Sequence, residues 1–175
     1  LVIKTFAEVL KTNPNTRLVL VGNFYGSKLF SKLIANVDSE VKQSLHIVSN
    51  GAKHNLLSKF YQVSDIYLHT SSYEGFGVVL SEAALSCLPI VSTLNDGALE
   101  NIEENKSGYL VNSSCNKEIA KYVVKLLNDN NLRERMGTYA RERALIKYEE
   151  EKNLRVRDTL WKKVAKGGLK SKESL

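Results

Sequence analysis

Residues 69–84 read His-Thr-Ser-Ser-Tyr-Glu-Gly-Phe-Gly-Val-Val-Leu-Ser-Glu-Ala-Ala, and this stretch predicts a strand, a tight turn and a helix in succession. Residues 65–69 are the aromatic and β-branched types of a buried strand. Gly75 and Gly77 follow, and from Val78 onward the sequence is nearly all apolar, in a helical pattern. Glycines at such a turn let the backbone approach a ligand, and the first N–H groups of the helix are unpaired at the positive end of its dipole. The stretch therefore predicts a binding site for an anion such as phosphate.

Two acidic residues flank this turn. Glu74 lies in the loop just before the glycines, and Glu82 lies eight residues further on, inside the helix. Because the residues around Glu82 are almost all apolar, we expect its carboxylate to be largely buried and to need a partner. One hypothesis is that Glu82 accepts hydrogen bonds from ligand hydroxyls, such as those of a ribose, since repulsion keeps a carboxylate away from phosphate. The other hypothesis is an internal ion pair with a lysine or an arginine.

The stretch lies within a regular alternation of strands and helices. Short apolar strands are predicted at 17–22, 45–49, 65–69, 90–91 and 109–111, with a helical pattern between each strand and the next. This alternation is typical of a doubly wound parallel sheet, so we expect an α/β, Rossmann-like fold.

The chain is long enough for one domain with a hydrophobic core, since 43% of its 175 residues are hydrophobic. We expect this domain to cover residues 1–147. A basic helix and a frayed end are expected over residues 148–175, packing on the domain or crossing from it. The first residue, Leu1, already lies in a helical pattern, which predicts a piece of a longer chain.

The net charge of +6 is concentrated near the carboxyl end of the chain. Residues 141–175 contain 11 basic and 6 acidic residues, and so carry +5 of that charge. A basic helix of this kind either presents a solvated surface or contacts an anionic membrane, and both hypotheses stay open here. Few aromatic residues accompany the basic ones, so we expect no nucleic-acid partner.

The cysteines and histidines give no pattern of metal ligands. Cys87 and Cys115 lie 28 positions apart, and the three histidines are scattered along the chain. We therefore expect no metal site and a reduced, cytoplasmic setting. No apolar run reaches the length of a membrane span, and the sequence does not begin with a signal-peptide pattern.

The turn and its two acids resemble the Glu-x7-Glu signature of retaining GT-B glycosyltransferases. These enzymes form the large glycosyltransferase family 4, which is also called group 1. Five segments follow the family pattern in order, at 60–66, 71–82, 87–93, 97–102 and 105–111. Their motifs are Phe-Tyr-x-x-Ser-Asp-Ile, Ser-x-x-Glu-Gly-Phe-Gly, Cys-x-Pro-Ile-Val-Ser-Thr, Gly-x-x-Glu-x-Ile and Asn-x-x-Gly-x-Leu-Val. The resemblance implies the carboxyl-terminal, donor-binding half of a GT-B fold.

The resemblance also implies the ligand, a nucleotide-diphosphate sugar that is bound as donor substrate without a metal or other cofactor. The donor sugar is expected beside Glu74, which would help to stabilise the departing glycosyl group, and the ribose at Glu82. The base is expected against the loop at 49–52, where Asn50 stands in the usual place of a glycine and Gly51 follows. The backbone groups expected at the distal phosphate are those of Gly75, Phe76, Gly77, Val78 and Val79.

The acceptor is implied to be a glycan, a lipid or a protein-linked group that receives a hexose-type sugar. It would bind to an amino-terminal domain, which is expected upstream of Leu1 together with an arginine and a lysine for the diphosphate. The 175-residue chain alone is then expected to bind donor weakly and to transfer little or no sugar. Two alternatives stay open: a non-catalytic module that binds a nucleotide or a sugar, and another GT-B-like enzyme such as a nucleotide-sugar epimerase. The resemblance also leaves peripheral membrane contact of the basic end open.

Overall fold

The computed structural model describes residues 1–24, 26–49, 54–112 and 115–149, together with residues 159 and 162. Its helices are Val2–Leu10 (α1), Lys28–Ala35 (α2), Ser39–Gln43 (α3), His54–Gln62 (α4), Val78–Leu85 (α5), Asp96–Asn101 (α6), Asn116–Asn128 (α7) and Asn130–Lys147 (α8). Its strands are Leu18–Val21 (β1), Leu45–Val48 (β2), Tyr67–His69 (β3), Ile90–Thr93 (β4) and Gly108–Val111 (β5). Asn50 and Gly51 lie outside the described residues, as does most of 148–175, so the expectations placed there stay predictions.

The strands are parallel throughout, and helices flank them, so the predicted α/β, Rossmann-like fold is confirmed. They form two sheets rather than one. β1 pairs with β2, and the second sheet has the order β3-β4-β5. In the second sheet His69 lies opposite Ser92, and Ser92 lies opposite Leu110. Among the described strands no ladder of hydrogen bonds joins one sheet to the other.

The core is deepest at β4, whose four residues are all buried. Successive side chains of a strand point to opposite faces, and β4 shows this in its packing. Ile90 packs with Leu80 of α5 and with Ala140 of α8, whereas Val91 packs with Ile119 of α7 on the other side. The second sheet is thus covered by helices on both faces, as its continuous apolar strands predict.

The sequence pattern gave too little signal for α3. Its residues, Ser-Glu-Val-Lys-Gln, are polar except for Val41, which is its buried residue. A single apolar position cannot establish a helical period, so the apolar pattern does not predict this helix. Among the described residues no helix is both long enough and apolar enough to cross a bilayer.

Candidate functional site

The site lies where the loop after β3 meets the loop after β4. Thr93 donates a hydrogen bond from Oγ1 to the carbonyl of Ser71 over 2.6 Å, and Asn95 donates to the same carbonyl over 3.0 Å. Gly97 donates its N–H to the carbonyl of Glu74 over 2.7 Å. A Cβ at Gly97 would lie 2.8 Å from Cγ and 2.9 Å from the carbonyl oxygen of Glu74. The glycine therefore allows a close approach that fixes Glu74 against α6.

The turn before α5 requires glycine at one position. Gly77 has a φ of +74°, and a Cβ there would lie 2.8 Å from Cδ1 of Leu80. A side chain is therefore excluded by both the backbone conformation and the packing. Asn101, a buried residue of α6, donates to the carbonyl of Phe76 over 2.7 Å and accepts from Ser81 over 2.9 Å, so it ties the turn to α6.

The amino end of α5 is open. Gly77 is its N-cap residue, no side chain caps it, and its first turn contains no acidic residue. Among the described residues the backbone N–H groups of Val78 and Val79 have no hydrogen-bond partner. The neighbouring helix α6 differs, because Asn95 caps it by accepting from the N–H of Ala98 over 2.9 Å. An open helix end presents unpaired donors and a positive dipole to an anion.

The turn before the amino end of α5 also has unoccupied space beside it. A Cβ added at Gly75 would meet no atom within 4 Å, so the protein's own packing does not require glycine there. Phe76 is 52% exposed, and its ring contacts that of Tyr148 edge-on at 5.8 Å between centroids. The turn therefore has one packed side, towards α8, and one side open to a ligand.

Glu82 has a neutral partner. The hydroxyl of Tyr61, on α4, donates to Oε2 of Glu82 over 3.1 Å. Among the described residues Glu82 forms no ion pair, so the hypothesis of an internal lysine or arginine partner finds no support in that part of the chain. The hydrogen bond from Tyr61 uses Oε2, so Oε1 of the carboxylate can act as a further acceptor.

A second tyrosine lies between the two acids. Burial raises the pKa of Tyr67 to about 12, and the charges of Glu82 and Glu74 raise it as well, whereas a hydrogen bond with Tyr61 lowers it. Burial, together with the charges of Tyr67 and Glu82, also raises the pKa of Tyr61. The ring of Tyr67 lies 5.7 Å from that of Tyr61 and 6.4 Å from that of His69, the neighbours of Glu82 and Glu74. The site therefore places two carboxylates beside an open helix end.

Glu74 has a histidine neighbour. Oε2 of Glu74 lies 3.7 Å from Nε2 of His69, whose Nδ1 lies 3.1 Å from Oγ of Ser92 on β4. Burial lowers the pKa of His69, and the Glu74 carboxylate opposes this by raising it. The side chain of Glu74 is one-third exposed, so a ligand can reach it.

The structure brings most of the predicted residues together on one loop and helix, and it adds others. Residues 74–79 and Glu82 lie on the turn and on the first part of α5. Sequence reasoning missed Tyr61, Tyr67, Ser92 and Asn101, which come from four other elements. The signal that could have found Tyr61 is its place in the motif at 60–66. Among the described residues no group of three or more histidines, cysteines or acids is arranged to hold a metal ion.

A family model for glycosyl transferases group 1 matches residues 1–143 of the chain. The chain belongs to this family. The matched residues include the turn, both acids and the helices that contact them.

One relative of this group 1 chain is an N-acetyl-alpha-D-glucosaminyl L-malate synthase from Bacillus anthracis. The two are 28% identical over 160 residues, which is 91% of this chain. The chain spans only 40% of the length of that relative.

Solved structures share the fold. The carboxyl-terminal domain of a group 1 glycosyltransferase from Francisella tularensis aligns with a TM-score of 0.75 at 24% identity, over 84% of this chain and 77% of that one. The pneumococcal O-GlcNAc transferase, in complex with UDP and GlcNAc, aligns with a TM-score of 0.73 at 26% identity, over 91% of this chain and 32% of that one. The chain thus has the fold of a group 1 carboxyl-terminal domain.

Proposed function

We propose that this chain is the donor-binding domain of a retaining glycosyltransferase, and that its donor is a nucleotide-diphosphate sugar of the hexose type. The observation that carries the proposal is the open amino end of α5 between two carboxylates, Glu74 and Glu82. The acceptor, a glycan, a lipid or a protein-linked group, would bind to a further domain. The family match supports transfer as the reaction class.

The distal phosphate would bind at the turn. The N–H groups of Val78 and Val79 have no partner among the described residues, and Gly75 leaves room for the ligand. The helix dipole adds a favourable interaction with the phosphate charge. With these donors the diphosphate would need no metal ion, and we expect binding to persist in EDTA.

Glu82 would accept hydrogen bonds from the ribose hydroxyls. Tyr61 holds Oε2 of the carboxylate, so Oε1 is the oxygen available to the ligand. A position one turn into α5 places the carboxylate beyond the phosphate site, where its charge does not repel the phosphate at close range.

Glu74 would lie at the donor sugar. In transfer the bond between the anomeric carbon and the distal phosphate oxygen breaks, and positive charge develops on the sugar ring. A carboxylate that is already fixed in position, as Glu74 is by Gly97, stabilises such charge without further reorganisation. The departing phosphate would in turn be stabilised by the end of α5.

The first nucleotide to test is UDP, because the pneumococcal relative of known structure holds UDP. The experiment is calorimetric titration of the 175-residue chain with UDP, GDP and their common sugar conjugates, repeated with Glu82→Gln and with EDTA. We expect the glutamine variant to bind roughly 10- to 100-fold more weakly, since hydrogen bonds to a charged group contribute about 1.5–3 kcal/mol. Glu40→Gln, at an exposed position of α3, is the matched control and should bind as the wild type does.

Two results would count against the proposal. If Glu82→Gln binds nucleotide with unchanged affinity and an unchanged melting temperature, Glu82 is a structural acid. If free nucleotide and nucleotide sugar bind equally well with and without Glu74→Gln, Glu74 does not contact the bound donor sugar, and a module that binds the nucleotide alone is the better description. Sugar transfer by the purified 175-residue chain at a substantial rate would contradict only the expected need for an acceptor domain.

A further inference from the structure

His69 is a buried histidine beside the site, and each of its ring nitrogens faces a polar side chain. It ends β3, is 8% exposed, and lies opposite Ser92 in the parallel ladder. Nδ1 lies 3.1 Å from Oγ of Ser92, and Nε2 lies 3.7 Å from Oε2 of Glu74. The ring therefore connects β4 to the acid that we place at the donor sugar.

The hydrogen bonds of Ser92 determine which nitrogen of the neutral ring carries the proton. The hydroxyl of Ser92 donates to the carbonyl of Thr93 over 2.8 Å, and a carbonyl can only accept. Ser92 has a single hydroxyl proton, so its contact with His69 is a hydrogen bond at the same time only if Nδ1 donates. The neutral ring is then protonated at Nδ1, and its lone pair is at Nε2.

That lone pair faces another acceptor. With a neutral ring, Nε2 and the carboxylate oxygen of Glu74 are two acceptors 3.7 Å apart, and both remain available to an external donor such as a hydroxyl. A second proton on the ring can reside only on Nε2, because Nδ1 already has one. Nε2–H then donates to Glu74 and forms a charged pair with it.

The other groups that face the ring of His69 do not change their charge near neutral pH. The ring of Tyr67 lies alongside at 6.4 Å between centroids, and Tyr67 keeps its proton because its pKa is about 12. Ser92 is neutral. Among the described residues, Glu74 is the charged group that acts on His69. Burial lowers the pKa of His69, so the neutral ring prevails at pH 7 and above.

We propose that His69 is a positioning residue that makes the hold of Glu74 on the donor sugar depend on pH. The neutral ring leaves the carboxylate free to accept from sugar hydroxyls and offers Nε2 as a second acceptor. The protonated ring holds the carboxylate on β3, away from the sugar. The inference rests on the proposed function, since it gives Glu74 the role stated there.

The proton positions can be tested without any ligand. In long-range ¹H–¹⁵N spectra of the free chain with labelled histidine, we expect neutral His69 to be protonated at Nδ1 and to gain its second proton at Nε2 in acid. Glu74→Gln removes a charge that favours the protonated ring, so it should lower the pKa of His69. Ser92→Ala should shift the neutral ring towards protonation at Nε2. A wild-type ring that is neutral with its proton on Nε2, or a titration unmoved by Glu74→Gln, would overturn the proposal.

The effect on the donor is measured as the ratio of two affinities. The probes are UDP and whichever of UDP-glucose and UDP-N-acetylglucosamine binds more tightly, titrated at pH 5 and pH 8. The terminal phosphate of UDP itself ionises at about pH 6, so the wild type is compared with His69→Asn, which retains a donor for Ser92 but lacks Nε2. Between pH 5 and pH 8 we expect the preference for the sugar conjugate over UDP to rise about tenfold more in the wild type than in this variant, since one charged hydrogen bond of at least about 1.4 kcal/mol is gained. His46→Asn, at an exposed position of β2, should show the same rise as the wild type.

The two proposals fail in different ways. If no nucleotide binds, the proposed function fails, and the spectra of the free chain still decide where the proton lies. If UDP and its conjugate bind but their ratio changes with pH equally in the wild type and in His69→Asn, the inference about His69 fails alone. Circular dichroism of each variant establishes that it is folded before its binding is compared.

Discussion

The two sheets of the protein differ in how deeply they are buried, although their sequences have similar apolar patterns. In the three-stranded sheet every residue of β4 is buried, whereas every residue of β1 in the two-stranded sheet is only half-buried. The helices follow the same division. α5 contains four buried residues, and α2 contains none, with Leu29 79% exposed.

The number of neighbours accounts for this difference. β4 pairs on both edges and is covered by helices on both faces, whereas among the described strands β1 pairs only with β2. An apolar groove of about 680 Å³ lies between the start of α1 and the region of α2, lined by residues that include Leu1, Leu20, Phe24 and Leu33. Burial therefore depends on what the fold places around a strand. The candidate site is built on the well-buried sheet, where its side chains are held most firmly.

The largest effect is expected for a leucine that covers the three-stranded sheet, compared with a leucine of α2 beside the two-stranded sheet. Leu80 of α5 is fully buried, and Leu33 of α2 is 45% exposed. Leu80→Ala should lower the free energy of unfolding by about 3–4 kcal/mol, and Leu33→Ala by less than about 1 kcal/mol, because only the first leaves a cavity. Urea denaturation monitored by circular dichroism measures both. Equal losses would show that the two sheets are equally packed in solution.

The second largest effect is a loss of stability at alkaline pH, which comes from Tyr67 on the three-stranded sheet. An unfolded tyrosine loses its proton near pH 10, whereas Tyr67 in the fold holds it to about pH 12, first because it is buried and then because of Glu82 and Glu74. The pKa of Tyr67 is higher in the folded than in the unfolded protein. The stabilisation that Tyr67 contributes is therefore complete below pH 10 and is lost as the pH rises through 12. We expect a loss of about 2 kcal/mol from this group.

The measurement is the free energy of unfolding from pH 8 to pH 12, compared between the wild type, Tyr67→Phe and Tyr73→Phe. Tyr67→Phe should flatten the alkaline loss by about 2 kcal/mol. Tyr73 lies in the loop after β3 and is 78% exposed, so Tyr73→Phe should leave the loss unchanged. An alkaline limb that is the same in all three proteins would contradict the burial of Tyr67.

Substitutions at two glycines of the site should affect stability and nucleotide binding differently. A Cβ at Gly97 would press on the carbonyl of Glu74, so Gly97→Ala should cost about 1.5 kcal/mol of stability and displace Glu74. A Cβ at Gly75 would meet open space, so Gly75→Ala should change the melting temperature little. It should still weaken nucleotide binding, because the methyl group occupies the space that we assign to phosphate. Unchanged UDP affinity in Gly75→Ala would place the phosphate elsewhere.

The smallest effect is a gain in stability at the end of α5. Cys87 has a φ of +60°, a left-handed conformation that favours glycine. Cys87→Gly should therefore raise the free energy of unfolding by about 1 kcal/mol. Asn105, with a φ of +63°, is the control, because asparagine tolerates this conformation and Asn105→Gly should gain only a few tenths of a kcal/mol. Thermal unfolding of both variants measures the difference.

Local features of the site were predictable from the sequence. The glycines and the apolar run after them predicted that β3 gives way to a helix at Val78, and α5 begins there. Apolar periodicity is a property of neighbouring residues, so it can be recognised without the fold. The partner of Glu82 was not predictable in this way. Tyr61 lies 21 positions earlier on another helix, and only the packing of α4 against α5 brings its hydroxyl to the carboxylate.

The sequence was enough to predict that strands and helices alternate, that the strands are parallel, and that a glycine turn with two acids precedes and begins a helix. These features depend on the chemistry of residues close together in the chain. Tertiary contacts were needed to establish that the strands form two sheets, that the hydroxyl of Tyr61 donates to Glu82, and that His69 faces Glu74. Such contacts depend on how distant elements pack, because burial and hydrogen bonding are properties of the whole fold.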